Sequence, residues 1–561
     1  MPSPRRLLAA LGHLAIATVA TWPMVLTPAS RLVGHPFVDV WNHAWGAWWF
    51  LASFRGGNLP YFTTLLGAPR GGYLWYIDPL GAFLTMPVVA IGGIALAWNL
   101  LMLGYVALAS TAGRALALAL GATPASSWLA AVAMALSPFL LSEIHNGISE
   151  AVGAGWCVLA LASLFRAVSP GSNGRTWALL GLFAGITAAG TVYYALGLAL
   201  LGAPVVVAAG WRDPRRVVRG AGVALLVAAL VATPAFLAAR ASLADIATAL
   251  IERPDVPLEH PGFMSIVRHN AVDPRVFFWP GDFQSVDHSR TGEFFRHSSY
   301  AGVVALLLAA YSRRWFLLGL VVALGVVSLG PFLFYGGDWV RSGDQLIALP
   351  YRLFFEVLPT AALGHPQRLA LPGLALLYGL AAVGLGRAGA AIGRVAILRS
   401  TVAAAFLAAE FLLVSPAPWP LATASPPDTT AAAYIRDAVL YDPSRAGIVF
   451  DLPADIAGSG MAASQYLYLQ SVHGQPIPYA PDVKVQGCRL GNHAAGILLR
   501  RDESRANEVT GVSLAGVGVR WVVVHGDLAD TTFEERTLTA ALGEPVRFGS
   551  VSVFALQAPG R

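Results

Sequence analysis

Long apolar runs, separated by short polar segments, fill the first 415 residues of the chain. A run of about 20 apolar residues is long enough to cross the hydrocarbon core of a bilayer as a helix. A further run at 79–97 contains Pro79, Pro87 and a glycine pair, so it either crosses or is re-entrant. Without that run, the pattern predicts about eleven transmembrane helices, at residues 7–27, 98–120, 126–142, 151–166, 176–190, 192–210, 218–238, 298–312, 315–334, 367–386 and 400–415.

The pattern changes after Glu410, where the sequence FLLVSPAPWPLATASPPD cannot continue a helix and predicts a stiff proline-rich linker. Beyond the linker, helical periodicity alternates with strand-like runs, which is typical of an α/β domain. We therefore expect an α-helical polytopic membrane protein, with a transmembrane domain at 1–415 and a small soluble α/β domain at 416–561. The predicted helices of the latter are Thr429–Val439, Met461–Gln470 and Thr532–Leu542, and its predicted strands are GIVFDLP, VRWVVVH and VSVFAL.

Composition agrees with a chain that lies mostly in a bilayer. Of the 561 residues, 56% are hydrophobic and 12% are charged, about half the charged fraction of soluble domains. The net charge of +6 and the pI near 9.4 raise the question of nucleic acid. The arginines, however, lie in short clusters between apolar runs rather than on one basic face. We therefore predict contact with membrane lipids and no nucleic-acid partner.

The arginine clusters also indicate orientation, because cytoplasmic loops are enriched in Arg and Lys. With eleven crossings, the N-terminus is cytoplasmic and the C-terminal domain is extracytoplasmic. The long loops 28–78 and 239–297 then lie outside, where polar chemistry is expected because irregular backbone is costly in lipid. In this topology every basic cluster is cytoplasmic, namely Arg5 with Arg6, Arg114, Arg166 to Arg175, the WRDPRRVVRG loop, Arg313 with Arg314, and Arg387 to Arg399.

The sequence lacks the motifs of several large enzyme classes. P-loop, GxSxG, HExxH and paired CxxC patterns are absent, so ATP-driven transport, serine hydrolysis and zinc proteolysis have no sequence basis. Haem and flavin signatures are absent as well. The acids and the histidine around residue 145 match no metal-ligand spacing. We predict no cofactor and no metal site.

The first predicted outer loop contains an acid beside a dense set of tryptophans. At helical spacing, the tryptophans at 41, 45, 48 and 49 share one side of a helix, and Asp39 stands at its N-terminal end. One interpretation is an aromatic belt helix that anchors the protein in the headgroup region. The other is a surface helix that presents Asp39 for chemistry.

Several segments resemble the GT-C superfamily of polytopic, lipid-linked-sugar glycosyltransferases and its uncharacterised bacterial members. They are DVWNHAWGAWWF, NLPYFTTLLGAPRGG, ALSPFLLSEIHNG, LPYRLFFEVLPTAALGHPQRLALPGLALL, EFLLVSPAPWP, VFDLP and SVHGQPI. The resemblance implies an extracytoplasmic active site in a bacterial cytoplasmic (inner) membrane. There a polyprenyl-phosphate-linked sugar is transferred to a cell-envelope acceptor, and an acid of the first outer loop acts as base or contacts the acceptor.

Asp39 is the residue that matches this acid, and a carboxylate can accept the hydroxyl proton while the sugar transfers with inversion. Many members of the superfamily carry two adjacent acids here, whereas Asp39 is flanked by Val38 and Val40. That departure favours an alternative, a non-catalytic GT-C-like protein that binds or moves a lipid-linked saccharide or scaffolds envelope assembly. A transporter is expected to carry ionisable residues at mid-membrane. Transport therefore ranks third, because the clearest acid within an apolar run, Glu410, lies near the outer end of that run.

Further candidates are cations and polar residues on the predicted outer side. His269 and Arg275 lie in the loop 239–297, and arginine pairs phosphate oxygens bidentately. Their alternative partners are headgroups or acids of the same loop. The remaining substrate-binding candidates are His145 at the rim with Glu143 and Glu150, His365 and Arg368 in GHPQR, and Asp78 in YIDP. Interfacial anchoring is the alternative for the GHPQR pair. The sequence indicates no oligomeric state.

The topology predicts the result of reporter fusions that are active only outside the cytoplasm. A fusion at Pro427 is expected to be active and a fusion at Pro170 inactive, because the arginine-rich loop at 166–175 is cytoplasmic. Activity at Pro170, or none at Pro427, would overturn the scheme.

Overall fold

The computed structural model describes residues 4–60, 62–69, 71–73, 78–245, 270–281, 294–357, 364–388, 393–454, 462–479, 488 and 490–556. Helices dominate up to residue 414. They are α1 (Pro4–Ala20), α2 (Val40–Arg55), α3 (Pro79–Ala119), α4 (Ser127–Leu136), α5 (Pro138–His145), α6 (Ser149–Val152), α7 (Gly155–Val168), α8 (Gly174–Gly190), α9 (Val192–Gly210), α10 (Pro214–Asp245), α11 (Val303–Tyr311), α12 (Trp315–Val327), α13 (Arg352–Val357), α14 (Ala370–Arg387) and α15 (Arg394–Val414).

The C-terminal part adds shorter helices and a sheet. Its helices are α16 (Thr430–Tyr441), α17 (Ala462–His473), α18 (His493–Arg500), α19 (Gly511–Ala515) and α20 (Thr532–Leu542). The strands of the chain are β1 (Leu32–Val33), β2 (Phe62–Thr63), β3 (Gly72–Tyr73), β4 (Phe334–Tyr335), β5 (Asp338–Trp339), β6 (Arg341–Ser342), β7 (Gln345–Leu346), β8 (Thr423–Ala424), β9 (Ile448–Leu452), β10 (Val519–His525), β11 (Val546–Phe548) and β12 (Val551–Ala555).

By length and composition, seven helical segments within the described residues can cross a membrane. Two shorter apolar helices, Arg6–Ala20 and Trp315–Val327, accompany them. The polytopic helical architecture is thereby confirmed, and the count of eleven crossings stays a prediction. The seven are Pro79–Ala119, Ser127–His145, Ser149–Val168, Val192–Gly210, Pro214–Ala238, Pro366–Arg387 and Arg394–Val414.

Helix α3 contains the run at 79–97. The helix breaks at Gly93, whose φ of 78° and ψ of 177° suit a residue without a Cβ. Its 41 residues would measure about 60 Å as a straight helix, twice the hydrocarbon thickness of about 30 Å. The run at 79–97 therefore continues into residues 98–119 across a kink, and whether it crosses the membrane or is re-entrant stays a prediction.

The helices present two different ends. At one end, arginines donate hydrogen bonds to main-chain carbonyls of the turns at residues 169–173 and 312–314, from Arg216 to Ser169 and from Arg387 to Ser312, and Arg314 lies beside Gly121 of the turn at 121–126. We call this end the turn face. The opposite end carries residues 28–60, 270–281 and 294–300 together with the C-terminal part, and we call it the loop face. The basic clusters at Arg114, Arg166, Arg216, Arg314 and Arg387 thus gather at one end of the bundle, as the sequence predicts.

Helix α14 forms the centre of the bundle, because 94% of the most apolar stretch within Pro366–Arg387 is buried. It packs against α3, α4 and α11. At Gly384 an added Cβ would come within 1.8 Å of the carbonyl oxygen of Leu308. Glycine therefore lets the backbones of α14 and α11 approach closely, as is common between membrane helices.

The C-terminal part is a four-stranded sheet in the order β11–β12–β10–β9, in which β9 and β10 are parallel and the other pairs antiparallel. Asp451 of β9 and His525 at the end of β10 are buried and joined by a 2.9 Å hydrogen bond between Oδ1 and Nε2. The predicted strands coincide with β9, β10 and β12, and the predicted helices with α16, α17 and α20. The α/β character of this part is confirmed.

The C-terminal part docks on α2 and the first loop. Trp45 of α2 is fully buried, and its Nε1 donates to Oε1 of Gln470 on α17 at 2.6 Å. Trp41, also fully buried, meets the edge of Tyr468. The interpretation of α2 as a lipid-facing aromatic belt is therefore wrong for both tryptophans, because their apolar surface is covered by protein.

Backbone pairing strengthens this contact. The amide of Ile477 donates to the carbonyl of Leu65, and the amide of Ala68 donates to the carbonyl of Ile477. Strand β1 pairs with β8, which follows the last predicted span. The boundary predicted at residue 416 stays a prediction, and the apolar cluster of the C-terminal part includes Trp45, Leu66 and Ala68.

Removing Trp45 is expected to loosen the contact between α17 and α2. Trp45→Ala deletes a fully buried indole and orphans Gln470, a change that typically costs about 3–5 kcal/mol. Limited proteolysis of the purified protein should then cut between residues 416 and 480 faster than in wild type. Trp211→Ala, at a position 87% exposed, is the control and should leave the rate unchanged. Equal cleavage of the two variants would contradict the expectation.

Candidate active site

Asp39 occupies the junction between the first loop and α2. Its amide donates to the carbonyl of Asn146 at 3.2 Å, and its carboxylate Oδ1 accepts from Nδ2 of Asn42 at 3.1 Å. The side chain makes no capping hydrogen bond to the first turn of α2. Asp39 is half-buried, so its backbone is fixed while part of the residue is exposed.

The turn from His145 to Gly147 holds this junction in place. The amide of His35 donates to the carbonyl of His145 at 2.8 Å. Gly147 has a φ of +69°, and an added Cβ would lie 2.5 Å from Cα of Val40. Both constraints demand glycine, so the EIHNG segment has a physical role in placing Asp39.

A buried group of ionisable side chains lies next to Asp39, and we call it the ionic cluster: His43, Glu143, Glu150, His297 and Arg368. Arg368 contacts Oε1 of Glu150 at 3.2 Å and Oε2 of Glu143 at 3.8 Å. His43 Nδ1 lies 3.4 Å from Oε2 of Glu150, and His297 Nδ1 lies 3.9 Å from Oε1 of Glu143. One guanidinium therefore faces two carboxylates in a buried setting, which leaves the cluster rich in acid.

Different segments supply these side chains. His43 comes from α2 and Glu143 from α5, while Glu150 belongs to α6. Arg368 lies in the 3-10 turn Pro366–Leu369 that leads into α14, and its guanidinium carbon lies 5.9 Å from the ring centre of Tyr193 on α9. His297 lies in the segment before α11, so the cluster ties five segments together at the loop face.

Asp78 completes the acidic surroundings. It is buried, and it accepts from the hydroxyl of Tyr105 at 2.7 Å and from the amide of Gly81 at 2.9 Å. Burial raises the pKa of its carboxyl, against the effect of these two hydrogen bonds. The structure thus gives Asp78 a helix-capping role at the start of α3 in addition to its proximity to His43.

Electrostatic coupling connects Asp39 and Asp78 to the cluster. Burial lowers the pKa of His43 to about 4, although the carboxylates of Asp39 and Asp78 oppose that shift. His43 is therefore neutral at physiological pH and acts as a hydrogen-bonding group. Asp39 also lies within electrostatic range of Glu143.

Several buried polar atoms of this region make no hydrogen bond to the part of the protein that the structure describes. They are Oε2 of Glu143, Oε2 of Glu150, Nε of Arg368, and both side-chain polar atoms of Gln367. Buried polar groups are normally paired, since an unpaired one costs about 1–3 kcal/mol. The cluster is therefore suited to a polar ligand that brings its own donors and acceptors. No set of three or more potential ligand side chains among the described residues is arranged to hold a metal ion.

The predicted site residues are partly brought together. Asp39, Asp78 and Arg368 gather around the cluster. Nε2 of His145 bonds to the carbonyl of Phe294 at 3.0 Å, so it braces the segment before α11. His365 donates its amide to the hydroxyl of Tyr193 at 3.1 Å, one position before the turn that carries Arg368.

The loop 239–297 supplied two further candidates, Arg275 and His269. Arg275 donates two hydrogen bonds to the carboxylate of Asp273, at 3.0 and 2.7 Å, and its guanidinium lies 4.8 Å from the ring centre of Tyr335. These contacts belong to the hairpin of β4 and β5 rather than to the ionic cluster. His269 lies outside the described residues.

Sequence reasoning missed His43 as a site residue and named Glu143 and Glu150 only as rim acids. A signal for His43 existed, because it lies four residues after Asp39 and residues at that spacing share a helix face. The pairing of Glu143 and Glu150 with Arg368 spans more than 200 residues of sequence, and no local pattern predicts such a contact.

No protein-family model and no curated protein matches the sequence significantly. Among solved structures, the chain is similar to the archaeal oligosaccharyltransferase AglB from Archaeoglobus fulgidus, in complex with an inhibitory peptide and a dolichol-phosphate. The TM-score is 0.54 at 14% identity, over 96% of this chain and 71% of that one. It is also similar to ArnT from Cupriavidus metallidurans in the apo state, with a TM-score of 0.50 at 14% identity, over 99% and 98% of the two chains.

A third similar structure is the arabinofuranosyltransferase AftD from mycobacteria, with a TM-score of 0.53 at 16% identity over 99% of this chain. The match spans 40% of the AftD chain. The structural neighbours are thus GT-C glycosyltransferases, and the resemblance seen in the sequence is confirmed at the level of the fold.

Arg368 is expected to be required for stability. Arg368→Gln leaves Glu143 and Glu150 buried without a cation, and breaking a buried pair in this way typically costs about 3–5 kcal/mol. Thermal unfolding of the purified protein in detergent should show a lowered midpoint. The exposed Arg175 supplies the control, Arg175→Gln, which should behave as wild type.

The triple variant Arg368→Met, Glu143→Gln, Glu150→Gln should recover part of the loss, because it removes the two uncompensated charges together with the cation. A midpoint for Arg368→Gln equal to that of Arg175→Gln would show that the cluster is not a structural ion-pair network.

Proposed function

We propose that the protein is an inverting glycosyltransferase that transfers a sugar from a polyprenyl-phosphate-linked donor to a cell-envelope acceptor. The proposed reaction takes place on the extracytoplasmic face of the bacterial cytoplasmic (inner) membrane, at the loop face. The observation that carries the proposal is the position of Asp39, a half-buried acid beside a buried, acid-rich cluster in a GT-C fold.

The proposed reaction needs a base for the acceptor. Asp39 takes the proton of the acceptor hydroxyl while the oxygen of that hydroxyl forms a bond to the anomeric carbon. The bond from that carbon to the phosphate oxygen breaks, and the polyprenyl phosphate leaves with the electron pair. General-base assistance of this kind typically contributes about 10²–10⁴ in rate.

The acids around Asp39 suit the electronic demand of such a step. Glycosyl transfer develops positive charge on the sugar ring, as the oxocarbenium-like transition states of glycosidases illustrate. Carboxylates fixed in a buried site stabilise that charge without having to reorganise. Glu143 and Glu150 both face the single Arg368, so one cation holds in place the acids that would stabilise positive charge near Asp39.

The donor class is supported by the fold neighbour that was solved with a lipid phosphate. AglB was determined in complex with a dolichol-phosphate, a lipid of the kind proposed here. The phosphate of a donor requires a cation outside the ionic cluster, because Arg368 is already shared by two carboxylates. Arg275, whose side chain is 40% exposed while it pairs with the single acid Asp273, and His269 are the proposed contacts, with His145 and His365 in supporting positions.

A non-catalytic role is the second candidate, favoured by one observation. The C-terminal part is docked tightly on the helix that follows Asp39, through the fully buried Trp45 and Trp41. Such docking suits a scaffold or a protein that binds a lipid-linked saccharide without reacting it.

A transport role is disfavoured, because the clearest acid within an apolar run, Glu410, has a structural role. Its carboxylate accepts from the amide of Val303 and the hydroxyl of Tyr300 and thus caps α11.

The substitution Asp39→Asn distinguishes a catalytic role of the protein from a non-catalytic scaffolding role. The variant keeps an oxygen for Asn42 and removes the base, so it should accumulate as wild type, with a stability change within about 0.5 kcal/mol. In a deletion strain it should fail to restore the missing glycan or glycolipid, as measured by mass spectrometry of envelope extracts.

Asp344→Asn, an exposed acid in the hairpin of β6 and β7, is the matched control and should complement fully. Full complementation by Asp39→Asn at wild-type protein levels would exclude Asp39 as the base and would favour the scaffold.

A further inference from the structure

A wide apolar groove opens between α1, α4 and α15, remote from the ionic cluster. Its volume is about 860 Å³, within the range of ligand pockets. The lining is almost entirely apolar, from Ile16 and Val19 of α1, Val132 and Leu136 of α4, and Ile397 and Ala408 of α15. Because these helices belong to the membrane part of the protein, the occupant is a hydrocarbon chain.

The groove begins at the turn face and extends over about half the thickness of a bilayer. Pro124 and Ala125 of the turn between α3 and α4 form one end. Along α15 the lining extends from Ile397 to Ala408, which is about 16 Å of helix. One leaflet contributes about 15 Å of hydrocarbon. The groove therefore matches the acyl chain of a lipid in the leaflet at the turn face.

A positive charge stands at the entrance of the groove. Arg114 lines it and lies over the ring of Trp128, 4.8 Å from the ring centre. Its Nε is buried without a hydrogen bond, and no carboxylate of the described residues forms an ion pair with it. A guanidinium pairs phosphate oxygens with two parallel hydrogen bonds.

The neighbourhood of Arg114 is basic rather than acidic. Arg314 reaches the same turn, with Nη2 3.6 Å from the position of a Cβ added at Gly121. Arg166 donates to the carbonyl of Ala115, the residue after Arg114, at 3.5 Å. Charge complementarity thus selects an anionic headgroup over a zwitterionic one.

From the groove, its depth and this charge we infer a binding site for an anionic phospholipid, with one acyl chain between α1, α4 and α15 and the phosphate on Arg114. The site is distinct from the proposed donor site, because it opens at the opposite end of the bundle. A bound lipid bridges α1 and α15 to α4, and it stabilises the fold in proportion to its occupancy.

The test uses the full-length protein, purified in detergent and stripped of lipid. Dioleoyl-phosphatidylglycerol is compared with dioleoyl-phosphatidylcholine and with glycerol 3-phosphate by thermal unfolding and native mass spectrometry. Phosphatidylglycerol is expected to raise the unfolding midpoint more than phosphatidylcholine and to remain bound at one copy. Glycerol 3-phosphate should have no effect. Equal shifts with the two lipids, or a shift with glycerol 3-phosphate alone, would overturn the inference.

Two variants locate the site. Arg114→Gln should reduce the phosphatidylglycerol shift to that of phosphatidylcholine, whereas Arg175→Gln should keep it. Ala405→Phe places a ring in the groove at an exposed position and should abolish the retained lipid, whereas Val402→Phe, on the same helix but outside the groove, should not. Retention of phosphatidylglycerol by Ala405→Phe at the level of Val402→Phe would contradict the site, whatever Arg114→Gln does.

Discussion

The ion pair of Arg368 with Glu143 and Glu150 is the interaction on which the loop face depends. A charge buried among membrane helices is expensive unless it is paired, so the 3-10 turn before α14 and the segments α5 and α6 must stay together once these residues are buried. The same constraint positions α2, because His43 meets Glu150 while the turn at His145–Gly147 holds the backbone of Asp39. Asp39 is therefore placed by a buried electrostatic network together with the turn at His145–Gly147.

Docking of the C-terminal part extends this rigidity outward. Trp45 belongs to the apolar cluster of that part, and His43 belongs to the ionic cluster, although the two side chains stand only two residues apart on α2. One short helix thus joins the membrane bundle to the sheet of β9, β10, β11 and β12.

Periodicity and composition predicted most of the architecture correctly, because long apolar runs and alternating strands have few other physical solutions. Strand β10 and helix α20 were predicted to the residue. The role of α2 was not predicted, since four tryptophans look the same whether lipid or another part of the chain covers them. Short motifs named Asp39, Asp78 and Arg368 as candidates, and the structure brings them together, although their role in a site stays a prediction. Their connection through Glu150 and His43 was not predicted, because it depends on contacts between residues far apart in sequence.

The two valines beside Asp39 show why the acids around it come from other helices and not from neighbouring positions in the sequence. Val38 and Val40 are both fully buried in the apolar core of the bundle. A carboxylate at either position would have to be buried without the partners that Glu143 and Glu150 find in Arg368. The surrounding helices supply acids instead, Asp78 from the start of α3 and Glu143 from α5, both within electrostatic range of Asp39 or of its neighbour His43. The lack of a second acid in the first loop is thus compatible with an acid-rich site, because negative charge at a point depends on distance and burial rather than on sequence adjacency.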